Sequence, residues 1–415
     1  MTSVLENSSN DNSNDNSNDN SKGNSKGNLL YKIKGWDDPK LNLKQKLLRG
    51  IYSFGFENPS SIQSKALYPM TSTPPRDIIA QAQSGTGKTG AFVTGTLQII
   101  NEKVFNTQAV ILAPTHELAI QTKQVVDDIG RFLNIRSQLL VGGTSVEKDK
   151  KLLLDKTPHI VIGTPGRVHD MFRRKYLLNK YIKLLVIDEA DEMLSSGFTE
   201  QMYKIFQYMP NDIQIGLFSA TMPDDLQELT QKFLRHPIKI LVKAEQLTLQ
   251  GIAQYFINID NDVQKYETLK DLFSSLTVSQ AIIYCNSTKR VDDLQEAMEA
   301  DNFPVKKIHG KMPVEERKAT HKEFKSGGCR VLITSDLFAR GIDVQQVSIV
   351  INFDVPKCEH TYLHRIGRSG RWGRKGIAIN LLTKYDGARL KQFEEYYNTQ
   401  IMEMPSDYAV HLSNN

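Results

Sequence analysis

The stretch Gln81-Ala82-Gln83-Ser84-Gly85-Thr86-Gly87-Lys88-Thr89 has the residue types and spacing to hold a polyphosphate. Gly85 and Gly87 permit a sharp turn and let backbone N–H groups come close to phosphate oxygens. Lys88 is placed to reach β- and γ-phosphates, and the Thr89 hydroxyl to ligate Mg²⁺. The preceding apolar run, Ile78-Ile79-Ala80, reads as a strand, and the run from Gly90 onward suits a helix. The positive end of that helix dipole then faces the same anion. The first position of the loop holds Ala82 where glycine is usual.

A second cluster follows another apolar run. Leu184-Leu185-Val186-Ile187 ends in Asp188-Glu189-Ala190-Asp191. A carboxylate at the C-terminal end of a strand is where a phosphate-loop enzyme holds Mg²⁺. The adjacent acid can orient or deprotonate an attacking water. A third cluster, His364-Arg365-Ile366-Gly367-Arg368-Ser369-Gly370-Arg371, offers guanidinium forks, which suit a phosphoryl group better than ammonium does. Arginines three apart share a face if this segment is helical.

These clusters need a scaffold of strands and helices. With 415 residues, 40% of them hydrophobic and 24% charged, the chain has the composition of a soluble protein of two or three domains. No uninterrupted apolar run approaches a membrane span, and a polar N-terminus argues against a secretory signal. A net charge of +5 is compatible with a polyanionic partner. Cys285, Cys329 and Cys358 lack metal-ligand or redox spacing and read as reduced intracellular thiols.

Along the chain, residues 1–28 form an Asn/Asp/Ser-rich tail with little to bury, expected to be disordered. Leu43, Leu47, Leu48 and Ile51 recur at helical spacing. They lead to Gly55-Phe56-Glu57-Asn58-Pro59-Ser60-Ser61-Ile62-Gln63, whose Gln63 amide can match an adenine edge. Short apolar strands then alternate with helical stretches. They end in Pro114-Thr115-His116-Glu117-Leu118, Gly142-Gly143-Thr144, Gly163-Thr164-Pro165-Gly166-Arg167 and Ser219-Ala220-Thr221. Such alternation implies an α/β fold, a mostly parallel sheet with helices on both faces. Ligands gather at the carboxyl ends of strands in such sheets, and every polar cluster falls there. A second alternating unit begins near Gly251, with strands at Ala281–Tyr284, Val331–Ile333, Val347–Phe353 and Gly376–Leu382. It has no phosphate loop.

Taken together, these segments resemble the DEAD-box RNA helicases, a family named for the residues at Asp188-Glu189-Ala190-Asp191. The likeness runs from about Trp36 to Tyr408. Its translation-initiation branch is resembled most, through Leu48-Arg49-Gly50-Ile51-Tyr52 and Tyr397-Asn398-Thr399-Gln400-Ile401-Met402-Glu403-Met404-Pro405. The resemblance implies two tandem RecA-like domains, residues 29–242 and 251–415, joined by a linker at 243–250. ATP and Mg²⁺ would bind between them. Trp36 would stack on adenine and Gln63 would hydrogen-bond it. Ser84, Gly85, Thr86, Gly87, Lys88 and Thr89 would cradle phosphate and metal. Asp188 would hold Mg²⁺ and Glu189 would act as general base. Ser219 and Thr221 would couple the site to closure. From the second domain Asp343 would contact ribose, and Arg368 and Arg371 would touch the γ-phosphate.

The same resemblance assigns RNA contacts to Pro114, Thr115, Gly142, Gly143, Thr164 and Arg167, and to His309, Gly310, Thr334 and Arg340. Backbone N–H groups and small hydroxyls suit sequence-independent grip on phosphate and sugar. The expected activity is RNA-stimulated ATP hydrolysis with local unwinding of short duplexes, in translation initiation. The alternatives are a general remodeller in mRNA decay or ribosome assembly, and an ATP-gated RNA clamp. A cytoplasmic monomer (host cytoplasm if viral) working with an initiation-factor scaffold is expected, with no membrane partner. Three positions depart from the family pattern: His116 stands where arginine is usual, Lys311 where aspartate is common, and Trp36 in place of phenylalanine. Histidine titrates near neutrality, so His116 bears on RNA grip or on the positioning of its segment, and not on nucleotide chemistry.

Overall fold

In a computed structural model, the described residues are 31–82, 85–195, 197–240, 251–275, 280–336, 347–369 and 376–405. The tail at 1–28, the linker at 243–250 and the expected site residues Ser84, Arg340, Asp343 and Arg371 lie outside them. Two seven-stranded sheets carry the fold. The first comprises β1 (Ile78–Gln81), β2 (Ala109–Leu112), β3 (Ser137–Leu140), β4 (Ile160–Gly163), β5 (Leu184–Ile187), β6 (Gln214–Ser219) and β7 (Ile238–Ile240), ordered β3-β4-β2-β5-β6-β1-β7. The second comprises β8 (Ile252–Asn258), β9 (Ala281–Cys285), β10 (Val305–Ile308), β11 (Val331–Ser335), β12 (Ile349–Asn352), β13 (Gly376–Leu382) and β14 (Met402–Glu403), ordered β10-β11-β9-β12-β13-β8-β14.

Every strand pairing described is parallel. Parallel strands buried on both faces must be apolar throughout, and β1, β2, β4 and β5 bury every residue. Each sheet is sandwiched between two apolar clusters. Ile78, Ala80 and Phe218 of the first sheet face one layer of helices, packing with Phe92 of the helix Lys88–Ile99, and Ile79, Leu185 and Leu217 face the other. The second sheet divides in the same way, with Tyr284, Leu332 and Val350 on one face and Ile283, Ile333 and Ile351 on the other.

The helix expected around Leu43–Ile51 spans Gln45–Phe54, with Leu47 and Ile51 buried and Leu43 just before it. Its Gly50 permits close docking on the helix His116–Ile129: a Cβ there would meet the Ile129 carbonyl oxygen at 1.9 Å. Four strands, β7, β8, β10 and β14, escaped the reading by apolar runs. In β10, Val305 and Ile308 are buried and the two lysines between them are wetter at the sheet edge, so no apolar run marks it.

Candidate functional site

The acids and the phosphate loop meet because β1 lies next to β6, and β6 next to β5. The Ala82 N–H donates to Ser219 O at 3.0 Å, pinning the loop to the end of β6. The helix Lys88–Ile99 starts directly from Gly87, whose φ of 102° is one that residues with a Cβ rarely adopt. Lys88 is buried. Its Nζ donates to Ala82 O at 2.9 Å and stands 3.4 Å from Glu189 Oε1. Glu189 takes a left-handed backbone, φ 46°, which aims its side chain back at the loop. That conformation costs on the order of 1–3 kcal/mol in a non-glycine residue.

Asp188 is buried at the end of β5, accepting the Glu189 N–H at 3.0 Å. Burial and the neighbouring Glu189 push its carboxyl up to about 8, against the pull of Lys88. Glu189 Oε2 is buried with no hydrogen-bond partner. Crowded hard oxygen donors short of positive charge fit a divalent cation such as Mg²⁺, which takes few protein ligands and completes its shell with water and phosphate.

Asp191 is the junction of the site. Its Oδ2 accepts from Thr221 Oγ1 at 2.5 Å and from the Thr221 N–H at 3.2 Å, and its own N–H donates to Ser219 Oγ at 3.3 Å. The same Oδ2 lies 3.0 Å from His364 Nε2 of the second sheet's unit. The acids, the Ser219–Thr221 pair and the arginine-bearing segment are therefore physically joined. The helix carrying His364 spans Glu359–Ile366 and stops at Gly367, so Arg368 lies past its end. Arg368 is buried and its Nε donates to His364 O at 3.1 Å. Arg365 has a different job. It is fully buried, donating to Asp336, Asn352, the Asp354 carbonyl and Asn286, and it holds the strand ends of the second sheet together.

On the base side, Gln63 sits in a capping box with Ser60 and donates from Nε2 to Gly87 O at 3.2 Å. One lone pair and one amide N–H remain for a purine edge. Trp36 corrects the reading from sequence. It is 1% exposed and stacked on Phe56, ring centroids 5.9 Å apart and planes within 10°. No base can reach it. Phe56, half-buried and set against the start of the helix after Gly87, is the more exposed ring of the stacked pair. Trp36 is its backing. The signal for Phe56 was present in Gly55-Phe56, seven positions before Gln63, but nothing local ranks one aromatic above the other.

A cleft of about 510 Å³ opens between the two units. Pro114, Thr115, Gly142, Thr164 and Arg167 line it from the first, and Gly310 and Arg317 from the second. Gly143, at φ 77°, faces Val314 across the boundary. Two expected RNA contacts lie elsewhere, and a third lines the cleft with its guanidinium already engaged. Thr334 is fully buried in β11 and spends its hydroxyl on Ile308 O of β10, at 2.8 Å. His309 is buried between Asp292, 3.1 Å away, and the Lys311 N–H. Arg167 reaches the cleft wall, but its guanidinium is committed to Asp149, to Thr144 Oγ1 at 2.9 Å and to Thr144 O at 2.8 Å. It therefore braces the Gly142-Gly143-Thr144 turn. The sequence reading missed Asp149, and also the pair Glu117–Arg317, whose Oε1 and Nη1 lie 3.4 Å apart across the cleft.

The chain is similar to known proteins over most of its length. The DEAD/DEAH box helicase pattern matches residues 60–229 and the helicase conserved C-terminal domain pattern residues 264–373. The ATP-dependent RNA helicase eIF4A of Pyricularia oryzae is 52% identical over 370 residues, covering 89% of this chain and 93% of that protein. Eukaryotic initiation factor 4A of Caenorhabditis elegans is 50% identical over 377 residues, covering 91% and 92%. Among solved structures, S. cerevisiae Dbp5 bound to RNA and ADP BeF3 superposes with a TM-score of 0.86 at 36% identity, covering 92% of this chain and 98% of that one. Mss116p bound to ssRNA and AMP-PNP gives 0.78 at 26%, covering 91% and 82%.

Proposed function

The chain belongs to the DEAD-box family of ATP-dependent RNA helicases, and from that premise we propose that it acts in translation initiation, separating short RNA duplexes with RNA-stimulated hydrolysis of ATP. The observation that carries the mechanism is the hydrogen bond from His364 to Asp191. It ties the lobe bearing Arg368 to the acids and the phosphate loop of the other lobe.

ATP would lie with its base at Phe56 and Gln63 and its phosphates at Gly85, Gly87 and Lys88. Thr89 and Asp188 would hold Mg²⁺, which neutralises phosphate charge when bound. Glu189 accepts the proton of the attacking water. On nucleotide entry Lys88 exchanges the Ala82 carbonyl and the Glu189 carboxylate for phosphate oxygens, which leaves Glu189 able to act as base. Arg368 and Arg371 supply positive charge from the second lobe. An arginine finger is worth roughly 10³–10⁵ in rate, so hydrolysis depends on closure, and RNA spanning the cleft promotes closure.

Backbone N–H groups around Gly142 and Gly143 grip phosphate and sugar without reading bases. Duplex stacking is worth about 1.4 kcal/mol per step on the DNA scale, so one closure opens only a few pairs. Phosphate release with and without RNA, run beside displacement of a short duplex, tests this reading. Hydrolysis should rise with RNA and the short duplex should separate, whereas a blunt duplex of many tens of pairs should not. RNA binding with no strand separation favours an ATP-gated clamp instead. A monomer working in the cytoplasm with an initiation-factor scaffold completes the proposal, and stimulation of ATP turnover by such a scaffold separates it from a role in decay or ribosome assembly.

A further inference from the structure

We propose that His116 is a protonation-gated ligand for the RNA backbone, so that this chain takes up a proton when it binds RNA. The proposal rests on the reading of the inter-lobe cleft as the RNA path.

His116 opens the helix His116–Ile129, directly after the Thr115 cap, and lines the cleft. Its Nε2 edge lies over Gly142: a Cβ built on that glycine would stand 3.4 Å from Nε2. The ring therefore borders the backbone on which a phosphate would rest. Nδ1 is buried and has no hydrogen-bond partner, so no protein acceptor supports a second ring proton.

The charged groups around the ring come from three elements. Glu117 is on its own helix, Arg167 is on the helix Pro165–Arg173, and Arg317 and Lys318 are on Val314–Lys325. Glu117 faces Arg317 at 3.4 Å, and Arg167 is held by Asp149, so the local carboxylates are already matched to arginines. Burial first, and then Arg317, Arg167 and Lys318, hold His116 below the usual histidine range, with Glu117 opposing them. In the protein alone the ring is neutral near physiological pH.

A phosphate beside Nε2 brings the anion the site lacks and favours the imidazolium. The sign follows from linkage. The group titrates lower without RNA and higher with it, so between those two points binding captures a proton. Affinity is then greatest at the acidic side and falls as pH rises, by up to about tenfold per pH unit. An arginine at this position stays charged throughout and gives no such slope.

The test is the dissociation constant of the full chain for a fluorescent single-stranded RNA. It is measured with a non-hydrolysable ATP analogue and Mg²⁺ at fixed ionic strength, from about pH 5.5 to about pH 8, a range that brackets histidine titration. Wild type should weaken across that range by at least about threefold more than His116→Gln, and His116→Arg should bind tightly with a flat profile. Binding heats in two buffers of different ionisation enthalpy should register proton uptake by wild type and not by either variant. Tight RNA binding with the same slope in His116→Gln overturns the proton linkage alone. No RNA binding by wild type at any pH overturns the cleft reading and this inference with it.

Discussion

His364 and Asp191 are 3.0 Å apart across the boundary between the lobes, both buried, and that oxygen of Asp191 also accepts the Thr221 hydroxyl. One carboxylate thus senses the position of a helix from the other lobe. His364→Ala removes one donor to that oxygen, which keeps the Thr221 hydroxyl and N–H; a lost hydrogen bond to a charged group costs about 1.5–3 kcal/mol. RNA-stimulated turnover should fall roughly 10–100-fold, because closure that cannot register Asp191 cannot align Arg368. Turnover that keeps its full response to RNA in His364→Ala would show that the bond is incidental.

Lys88 and Glu189 separate binding from chemistry. Lys88→Ala should lose both ATP binding and hydrolysis, because Lys88 Nζ is the ammonium placed at the loop. Glu189→Gln keeps the size of the side chain but cannot take a proton. It should retain ATP and RNA binding while turnover drops by about 10²–10⁴. Filter binding of a labelled nucleotide alongside phosphate release distinguishes the two.

Trp36 and Phe56 divide structure from recognition. Trp36→Ala empties a buried site under Phe56 and should cost about 3–5 kcal/mol, seen as a fall in Tm. Phe56→Ala should spare most of that stability and raise the KM for ATP, since it removes the ring that meets the base. A Trp36→Ala protein with unchanged Tm and a raised KM would restore Trp36 as the stacking residue.

Glu117 and Arg317 form an ion pair between lobes, only 7% and 9% exposed. Both carboxylate oxygens of Glu117 and the Nε of Arg317 are buried without a hydrogen bond, so neither is fully satisfied by the pair alone. Glu117→Arg and Arg317→Glu should each weaken RNA binding in the presence of an ATP analogue. Combining them should recover part of the loss, with a coupling of about 0.5–3 kcal/mol. Strictly additive losses would show that the two side chains do not communicate.

Much of the fold was legible because parallel strands buried on both faces leave continuous apolar runs, as in Leu184–Ile187. Their chemistry is then displayed at the next residues, Asp188 onward. Where a strand sits at an edge the run disappears, and Lys306-Lys307 in β10 hid one. The phosphate loop and the acids were legible for a second reason: each is set by local turn geometry. Burial of an individual side chain is set by distant partners. Thr334 reads as a hydroxyl free for RNA until β10 supplies the Ile308 carbonyl, and Trp36 reads as a base platform until Phe56 covers it. The Glu117–Arg317 pair joins residues two hundred positions apart, on helices with no shared local signal.

Gln63 touches the Gly87 carbonyl while it waits for a purine edge. The choice of nucleobase and the shape of the phosphate cradle are thus one adjustable part. An engineer who rewrites position 63 to admit guanine will also loosen the turn that orients Lys88, and should expect slower turnover with every nucleotide offered. Changing the preferred base without that penalty calls for altering the surroundings of Phe56 and leaving the glutamine in place.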